Sequence, residues 1–289
     1  MNRDSLDSRV PWKTAWVTGA GRGIGAELSR LLCRQGVTVY GSARSSEELE
    51  QLRQELSHCD GELIPVVLDI RDSHAVQRLF HDWDAVGIMP ELVVLNAGSH
   101  DPFSVYEFSA QRCKELLEIN LQGTINCLDP VLYRYLERDS ATDLQRQTEP
   151  LVPGGFSGGL SGQIAVVSSS AGYRGLPVAA AYGAGKAALI NLCESLRLDL
   201  RGSGIKLQLI NPGFVRTPLT DKNDFPMPAL MEPDEAARRI VKGLLSDRFE
   251  IIFPRRFVYL LKLFRVIPYR WYFWLVGRVT GAGQDVRHN

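Results

Sequence analysis

Residues 12–25 read WKTAWVTGAGRGIG, an apolar segment that runs directly into a glycine-rich turn. Trp12 to Val17 has the composition of a short buried strand, and a helical pattern of apolar residues continues to about Gln35. Glycines let the backbone approach a pyrophosphate, and a helix N-terminus points amide groups at it. A strand, a glycine turn and a helix in this order therefore predict the first unit of a dinucleotide-binding fold.

The alternation of strand and helix continues along the chain. Short apolar runs predict further strands at 37–41, 63–68, 92–95, 164–167, 205–210 and 249–253, with mostly helical patterns between them. Hydrophobic residues make up 45% of the chain and charged residues 23%, which is ordinary for a soluble globular protein. The pattern predicts an α/β fold, a doubly wound parallel sheet (Rossmann fold), in one domain at residues 12–253.

Candidate chemistry lies in residues 164–190, IAVVSSSAGYRGLPVAAAYGAGKAALI. Tyr182 and Lys186 are four residues apart on a predicted helix, so their side chains share one face. An ammonium held near a phenol favours the phenolate and lowers its pKa from about 10, so the pair suits proton transfer near neutral pH. Ser169 ends the preceding strand and is placed to face the same point. The alternative is a surface lysine beside a half-buried tyrosine.

Ser169 with Ala171-Gly172, followed by Tyr182-Gly183-Ala184-Gly185-Lys186, resembles the active-site segment of the short-chain dehydrogenase/reductase (SDR) family. The TGxxxGxG spacing of residues 18–25 and the Asn96-Ala97-Gly98 turn fit the same family. The resemblance implies that Tyr182 is the catalytic acid/base and that Ser169 orients the substrate carbonyl or alcohol. It implies that Lys186 holds the cofactor ribose and lowers the tyrosine pKa.

Asn120 lies in the sequence Glu118-Ile119-Asn120-Leu121-Gln122-Gly123, inside a helix predicted for residues 109 to about 137. Asparagine costs helix propensity at such a position. By the same resemblance it is the fourth catalytic residue, whose backbone positions a water for proton relay. The alternative is a buried asparagine that its neighbours satisfy.

Two arginines indicate which dinucleotide the chain binds. The second predicted strand ends in Ser42-Ala43-Arg44, so alanine stands near the point where an acid would bind the ribose diol of NAD. Arg22 lies inside the glycine turn, beside the same pocket, and guanidinium groups bind phosphate through several donors at once. These residues predict NADP(H) as cofactor. The alternative is that one or both arginines face solvent.

The resemblance also places further residues around the cofactor. Asp69 is predicted to contact the adenine amino group, or else to cap the helix that begins near Ser73, for which Asp72 competes. The Asn96-Ala97-Gly98 turn is predicted to be part of the cofactor-side wall, and the Pro212-Gly213 turn with Thr217 the nicotinamide-side wall. The predicted cofactor-binding residues are Gly19, Gly21, Arg22, Gly23, Ile24, Gly25, Ser42, Arg44, Asp69, Ile70, Asn96, Ala97, Gly98, Tyr182, Lys186, Pro212, Gly213, Val215 and Thr217.

Residues 214–232 stand where the resembling family has its substrate lid. Phe225, Met227, Leu230 and Met231 give this segment an apolar character. The predicted substrate contacts are Ser169, Tyr182, Phe225 and Met227. Together these features predict an NADP(H)-dependent oxidoreductase that interconverts a carbonyl and a secondary alcohol on an apolar, lipid-like substrate. The alternative is a non-catalytic NADP(H)-sensing protein of the same fold.

Three segments lie outside the resemblance. Residues 1–11 are predicted to be a flexible tail, residues 139–162 a flexible surface insertion, and residues 254–289 an apolar, basic helical extension. The extension carries Lys262, Arg265 and Arg270 among aromatic and aliphatic residues, which argues against a bilayer-spanning helix. An amphipathic segment of this kind is typical of interfacial membrane contact at 255–276. The alternatives are that it covers the substrate pocket or a subunit interface.

Composition narrows the remaining possibilities. A formal net charge of zero gives no reason to expect nucleic-acid binding. The five cysteines form no CxxC pair, which predicts free thiols in a reducing compartment and no metal site. No apolar signal segment is visible near residue 1. We expect a cytoplasmic protein, with peripheral attachment to the inner face of a membrane as an option. The family resemblance implies a homodimer or homotetramer.

Overall fold

The computed structural model describes residues 9–146, 161–222 and 227–280. Within those ranges seven parallel strands form one sheet. They are β1 (Thr14–Thr18), β2 (Thr38–Ala43), β3 (Leu63–Val67), β4 (Leu92–Leu95), β5 (Gly162–Val167), β6 (Ile205–Pro212) and β7 (Glu250–Phe253), in the order β3-β2-β1-β4-β5-β6-β7. The predicted doubly wound parallel sheet is confirmed.

Nine α-helices connect and flank these strands in the described part of the chain. They are α1 (Gly23–Arg34), α2 (Ser46–Glu55), α3 (Ser73–Ala85), α4 (Ala110–Leu117), α5 (Gly123–Arg146), α6 (Ala180–Asp199), α7 (Pro233–Leu244), α8 (Arg255–Leu263) and α9 (Tyr269–Thr280). Several of these helices begin with residue types that are favoured at helix N-termini, where the first backbone amides have no partner within the helix. Ser45 caps α2 through its hydroxyl, and Pro233 stands in the first turn of α7.

The strand side chains alternate between two apolar cores, one on each face of the sheet. In β4, Leu92 and Val94 join the core formed with α1 and α7, whereas Val93 and Leu95 join the core on the other face. All four are buried, as the continuous apolar run predicts for a central strand covered on both sides. This packing fixes the register and therefore which strand ends meet.

The strand order reverses between β1 and β4, because β1 pairs with β2 on one side and with β4 on the other. In an open parallel sheet, ligands bind beyond the carboxyl ends of the strands at such a reversal. The glycine turn after β1 and the Asn96-Ala97-Gly98 turn after β4 both lie there.

The single helix predicted for residues 109 to about 137 is wrong in two respects. It is divided into α4 and α5 by a π-helical turn at Glu118–Gln122, and α5 continues to Arg146. The first residues of the predicted flexible insertion are therefore helical. Asp139 is buried and accepts hydrogen bonds from the Ser161 hydroxyl and the Gly204 amide, which ties this helix to the start of β5 and β6. The remainder of the insertion, residues 147–160, lies outside the described residues.

Candidate active site

Ser169 and Tyr182 meet at the carboxyl end of β5. Ser169 caps a short 3₁₀ turn at Ser170–Gly172, its hydroxyl accepting a 3.1 Å hydrogen bond from the Ala171 amide. Tyr182 stands in the first turn of α6, close enough to Ser169 for the serine hydroxyl to favour a lower pKa of the phenol. Tyr182 is half-buried. The two hydroxyls that the sequence pattern predicts to converge do so.

Lys186 is buried one turn further along α6. Its ammonium donates a 2.9 Å hydrogen bond to the Val167 carbonyl, and the Ser168 hydroxyl donates a 2.8 Å bond to the Lys186 carbonyl. These bonds lock the lysine between α6 and the end of β5. Burial lowers the pKa of Lys186 to about 8, because the charged form loses its hydration there.

The predicted lowering of the tyrosine pKa is not what this arrangement produces. Burial raises the pKa of Tyr182 above its ordinary value, and the hydrogen bond from Ser169 only partly offsets the effect. The Lys186 nitrogen lies 5.8 Å from the centroid of the Tyr182 ring and is bonded to the backbone. Loss of hydration therefore sets the direction of the shift, and the phenol stays protonated at neutral pH.

The turn at Gly98 is where the separate motifs converge. A Cβ atom at this position would lie 2.7 Å from the Asn120 Oδ1 and 3.6 Å from the Lys186 Nζ. Only a glycine lets the loop after β4, the π-helical turn and α6 approach this closely. The structure thus brings three segments that are far apart in sequence to one point beside Tyr182.

Asn120 uses its side chain to hold the loop after β4. Its Oδ1 accepts a 3.0 Å hydrogen bond from the Ser99 amide, and its Nδ2 donates a 2.8 Å bond to the Ser99 carbonyl. Asn120 is almost fully buried, and it lies in the π-helical turn, a feature that is frequent at functional sites. The predicted satisfied, buried asparagine is therefore observed. The role of its backbone in proton relay stays a prediction.

The reversal of strand order opens into a cleft of about 300 Å³. Gly19 and Gly23 have positive φ angles of 69° and 59°, which shape the turn along one wall. The predicted cofactor residues that line the cleft are Gly19, Gly21, Arg22, Gly23, Ile24, Ser42, Arg44, Asp69, Ile70, Asn96, Ala97, Gly98 and Thr217. The sequence interpretation missed Ala43, Ser45, Glu48, Leu68, Ile119, Pro218 and Leu219, which line it as well.

Six other predicted cofactor residues do not line this cleft. Gly25 packs against the glycine turn itself, and Val215 is buried beneath the loop after β6, bridged to Met231. Gly213 lies against β7 and α8, since its amide donates to the Phe253 carbonyl and a Cβ there would lie 3.1 Å from Phe257. The others are Pro212, Tyr182 and Lys186, which end β6 or lie on α6.

Asp69 is an acidic residue of the cleft that is paired with a neighbouring arginine. The Arg71 guanidinium pairs with Asp69 at 2.6 Å and holds the pKa of that carboxyl below its usual value. Asp72, and not Asp69, caps α3, its carboxylate accepting from the Ala75 amide at 2.9 Å. The helix-cap alternative for Asp69 is therefore wrong, and its carboxylate remains at the cleft.

His100 is a site residue that the sequence interpretation missed. Its ring packs edge-on against the Tyr182 ring, with the centroids 4.6 Å apart, and it is largely buried. The only signal for it in the sequence is its place two residues after the Asn96-Ala97-Gly98 turn. Of the predicted substrate contacts, Met227 is half-buried and Phe225 lies outside the described residues.

The C-terminal extension packs beside the loop that joins Ser169 to α6. Arg174 in this loop donates hydrogen bonds of 2.8, 2.9 and 3.2 Å to the carbonyls of Phe264, Arg265 and Ile267, at the end of α8. The Tyr272 hydroxyl of α9 donates in turn to the Gly175 carbonyl. Val258 and Leu261 of α8 enter the same apolar core as α6. The extension is therefore an integral neighbour of the candidate site.

A second set of polar contacts holds the last turn of α8. The Glu250 carboxylate accepts hydrogen bonds from the Tyr173 hydroxyl at 2.5 Å, from the Asn211 amide at 2.7 Å and from the Lys262 ammonium. These partners come from the Ser169 loop, β6 and α8. Burial, together with the Glu250 carboxylate, raises the pKa of Tyr173.

The outer surface of α8 and α9 is apolar, aromatic and basic. Its exposed apolar residues are Tyr259, Leu260, Leu263, Val266, Tyr269, Trp271, Phe273, Trp274 and Val279, and its exposed basic residues are Arg255, Arg256, Arg265, Arg270 and Arg278. We call these residues the aromatic–basic face. Across residues 9–146, 161–222 and 227–280, no helix combines the length and apolar composition that a bilayer span requires.

Comparison with known proteins agrees with this geometry. A family model described as short chain dehydrogenase matches residues 13–142 and 151–226. A protein described as an uncharacterized oxidoreductase of Myxococcus xanthus is 34% identical over 261 residues, which is 90% of this chain and 95% of that protein.

Two solved structures extend the comparison. An alcohol dehydrogenase of the archaeon Thermococcus sibiricus, complexed with 5-hydroxy-NADP, is 25% identical with a TM-score of 0.66 and covers 83% of this chain and 95% of its own. A 3-oxoacyl-[acyl-carrier protein] reductase of Brucella melitensis with bound NAD is 22% identical with a TM-score of 0.66, over 83% of this chain and 89% of its own.

Proposed function

The chain belongs to the short-chain dehydrogenase family and is an oxidoreductase of that family, and from this premise we propose an NADP(H)-dependent enzyme that interconverts a carbonyl and a secondary alcohol. The observation that carries the proposal is the convergence of Ser169, Tyr182 and buried Lys186 at the carboxyl end of β5. This pair of hydroxyls can bind one substrate oxygen from two sides. The substrate class, the cofactor and the residue roles below are parts of the same proposal.

The cleft fits a nicotinamide dinucleotide. Its walls combine the glycine turn, the end of β2 and the Asn96-Ala97-Gly98 turn, and its volume is about 300 Å³. Backbone amides at the start of α1 face the place where a pyrophosphate would lie. When bound, the cofactor supplies or accepts the hydride. Asp69 at one end would contact the adenine, and Thr217 at the other would contact the nicotinamide portion.

Tyr182 is the proton donor in the direction of carbonyl reduction. Its raised pKa keeps the phenol protonated at neutral pH, so the proton is present where the substrate oxygen gains charge. Ser169 donates a second hydrogen bond to that oxygen and orients it. The phenolate left on Tyr182 regains its proton from solvent, along the region held by Asn120 and Lys186.

The choice of NADP(H) rests on three residues at the adenosine end. Arg22 and Arg44 both line the cleft, and Ala43, the last residue of β2, also lines it and carries no carboxylate. Two guanidinium groups favour a 2′-phosphate through charge and multiple donors. The Thermococcus relative with its NADP derivative is consistent with this choice.

We propose an apolar, lipid-like substrate. Within the predicted lid, buried Met231 pairs with Val215, and Met227 and Leu230 are half-buried. Methionine side chains adapt to varied apolar shapes, which suits a substrate with flexible chains.

Peripheral contact with the inner face of a membrane follows from the aromatic–basic face. Tryptophan and tyrosine favour the headgroup region, and arginines are attracted to anionic lipid. Arg174 places this face next to the Ser169 loop, so a substrate dissolved in lipid would enter close to Tyr182.

A homodimer or homotetramer is the proposed assembly. Tyr133 and Leu136 on α5 and Leu198 on α6 are exposed at 61%, 43% and 56%. These helices follow β4 and β5, and exposed apolar side chains on adjacent long helices suit a symmetric interface. Light scattering of the purified chain measures the assembly directly.

The proposed chemistry is tested by NADPH absorbance with a series of ketones and aldehydes sorted by chain length. We expect turnover with apolar carbonyl compounds, and a loss of about 10²-fold or more in Tyr182→Phe. NADPH binding should persist in that variant, because the cleft residues are unchanged. Full activity of Tyr182→Phe contradicts the assigned role. NADPH binding without turnover of any carbonyl compound favours the non-catalytic sensing protein.

A further inference from the structure

Glu48 lies at the adenosine end of the cleft, although the sequence around Arg44 predicts a pocket without an acid. Ser45 caps α2 by accepting a 3.1 Å hydrogen bond from the Glu48 amide, which places Glu48 in the first turn of the helix. A Cβ atom at Gly21 would lie 2.5 Å from the Glu48 Oε2. The carboxylate therefore stands directly over the glycine turn.

Glu48 lies among other charged side chains at the adenosine end of the cleft. Its Oε1 lies 3.9 Å from the Arg22 guanidinium, and both side chains are partly exposed, at 40% and 56%. Arg44 lines the same wall, and the Asp69 carboxylate is paired with Arg71. Glu48 is thus the acid that competes with a phosphate for Arg22.

We propose that Glu48 is a cofactor-selectivity residue, whose carboxylate weakens the binding of a dinucleotide with a 2′-phosphate relative to one without it. The inference rests on the proposed nicotinamide-dependent function and adds the residue that limits its NADPH preference. A phosphate of nearly two negative charges is repelled by the carboxylate and must displace it from Arg22. A ribose diol, in contrast, can donate a hydrogen bond to the same carboxylate.

The experiment measures the Kd of NADPH and of NADH, without substrate, for the wild-type chain, Glu48→Gln and Glu47→Gln. Glu47 lies in the same first turn of α2 but is exposed and does not line the cleft, which makes it a matched control. We expect Glu48→Gln to shift the ratio of the two Kd values toward NADPH by about tenfold, as removal of roughly one charge repulsion at a protein surface would. The control should change the ratio less than about twofold.

Ionic strength separates charge from shape. Because the side chains are partly exposed, the gain in Glu48→Gln should shrink when salt rises from about 0.05 M to about 0.5 M. An unchanged Kd ratio in Glu48→Gln overturns the proposal, as does an equal shift in Glu47→Gln or a shift that salt does not affect. Failure of the wild-type chain to bind either dinucleotide overturns the proposed function itself. Equal melting temperatures of the three proteins show that the fold is kept.

Discussion

The Arg174 guanidinium lies 4.4 Å from the centroid of the Tyr272 ring, so one side chain of the Ser169 loop is stacked on the last described helix. The same guanidinium lies 4.5 Å from the Tyr269 ring and donates to three carbonyls at the end of α8. Cation–π contacts and charge-assisted hydrogen bonds are each worth about 1 kcal/mol or more when partly buried. Together with the bond from Tyr272 to the Gly175 carbonyl, Arg174 therefore joins the candidate site to the extension.

Replacing Arg174 with alanine should lower the free energy of unfolding by about 2 kcal/mol, because three carbonyls and two ring faces lose their partner. The Ser169 loop should also loosen, which lowers kcat/KM for the proposed reaction. Denaturant unfolding and steady-state kinetics measure the two effects. Arg174→Lys keeps the charge but lacks the planar guanidinium, so its stability and kcat/KM should lie between those of the wild-type chain and Arg174→Ala. The control is Arg201→Ala, at an exposed arginine after α6; an Arg174→Ala effect no larger than this would contradict the prediction.

Gly98→Ala should damage the site where the loop after β4, the π-helical turn and α6 converge. The added methyl would lie 2.7 Å from Asn120 Oδ1, which must move and release the Ser99 amide. We expect a loss of about 1–3 kcal/mol in stability, as for other overpacked sites, and a larger loss of activity than of cofactor affinity. Gly175→Ala is the control, since nothing lies within 4 Å of a Cβ there. Similar kinetics in the two variants would contradict the close convergence at Gly98.

Buried Lys186 predicts a specific pH dependence of stability. Burial lowers its pKa in the folded chain to about 8, from the 10.5 of a lysine in water. Between these values the unfolded lysine keeps a proton that the folded lysine has released, so this residue makes stability rise with pH. The unfolding free energy of the wild-type chain minus that of Lys186→Met should increase by about 2 kcal/mol from about pH 7 to about pH 9.5.

The measurement is denaturant unfolding at the two pH values, in the absence of dinucleotide. Lys242→Met provides the reference, because Lys242 is exposed on α7. The unfolding free energy of the wild-type chain minus that of Lys242→Met should be the same at both pH values. A difference between wild type and Lys186→Met that stays flat or falls with pH would mean that Lys186 keeps its charge on folding.

The motif residues could be placed from the sequence because short-range patterns determine them. Strand β4 is bounded as the apolar run predicts, and the spacing of Ser169, Tyr182 and Lys186 brings them together at the carboxyl end of β5. Parallel sheets covered on both faces have continuous apolar strands, so the order of strands and helices was readable. The glycine turn could also be predicted, because the spacing of its glycines indicates the conformation of its backbone.

The rest depends on contacts that no local pattern encodes. The π-helical turn is held by Asn120 bonding Ser99, and Glu48 enters the cleft only because α2 packs beside the glycine turn. The direction of the Tyr182 pKa shift follows from burial, which spacing on a helix cannot reveal. Likewise, the composition of the extension left three alternatives open, and the contacts of Arg174 are what place it beside the site.

The aromatic–basic face gives the last prediction, that the chain binds vesicles containing anionic lipid. Trp271 and Trp274 are exposed at 63% and 57% on α9, and Arg270 and Arg278 lie on the same helix. Insertion of the indoles and attraction of the arginines should act together. We expect co-sedimentation with phosphatidylcholine vesicles that contain about a third of an anionic lipid, weaker binding to neutral vesicles, and release by salt.

The double substitution Trp271→Ser and Trp274→Ser should weaken this binding by about tenfold or more, while Tyr106→Ser, at an exposed aromatic of another segment, should not. Neither variant removes a buried side chain, so both should keep the wild-type melting temperature. Binding that is equal in both variants would assign the interaction to another surface. Binding of none of the proteins to vesicles, with a smaller oligomer in the double variant alone, would identify the face as a subunit interface.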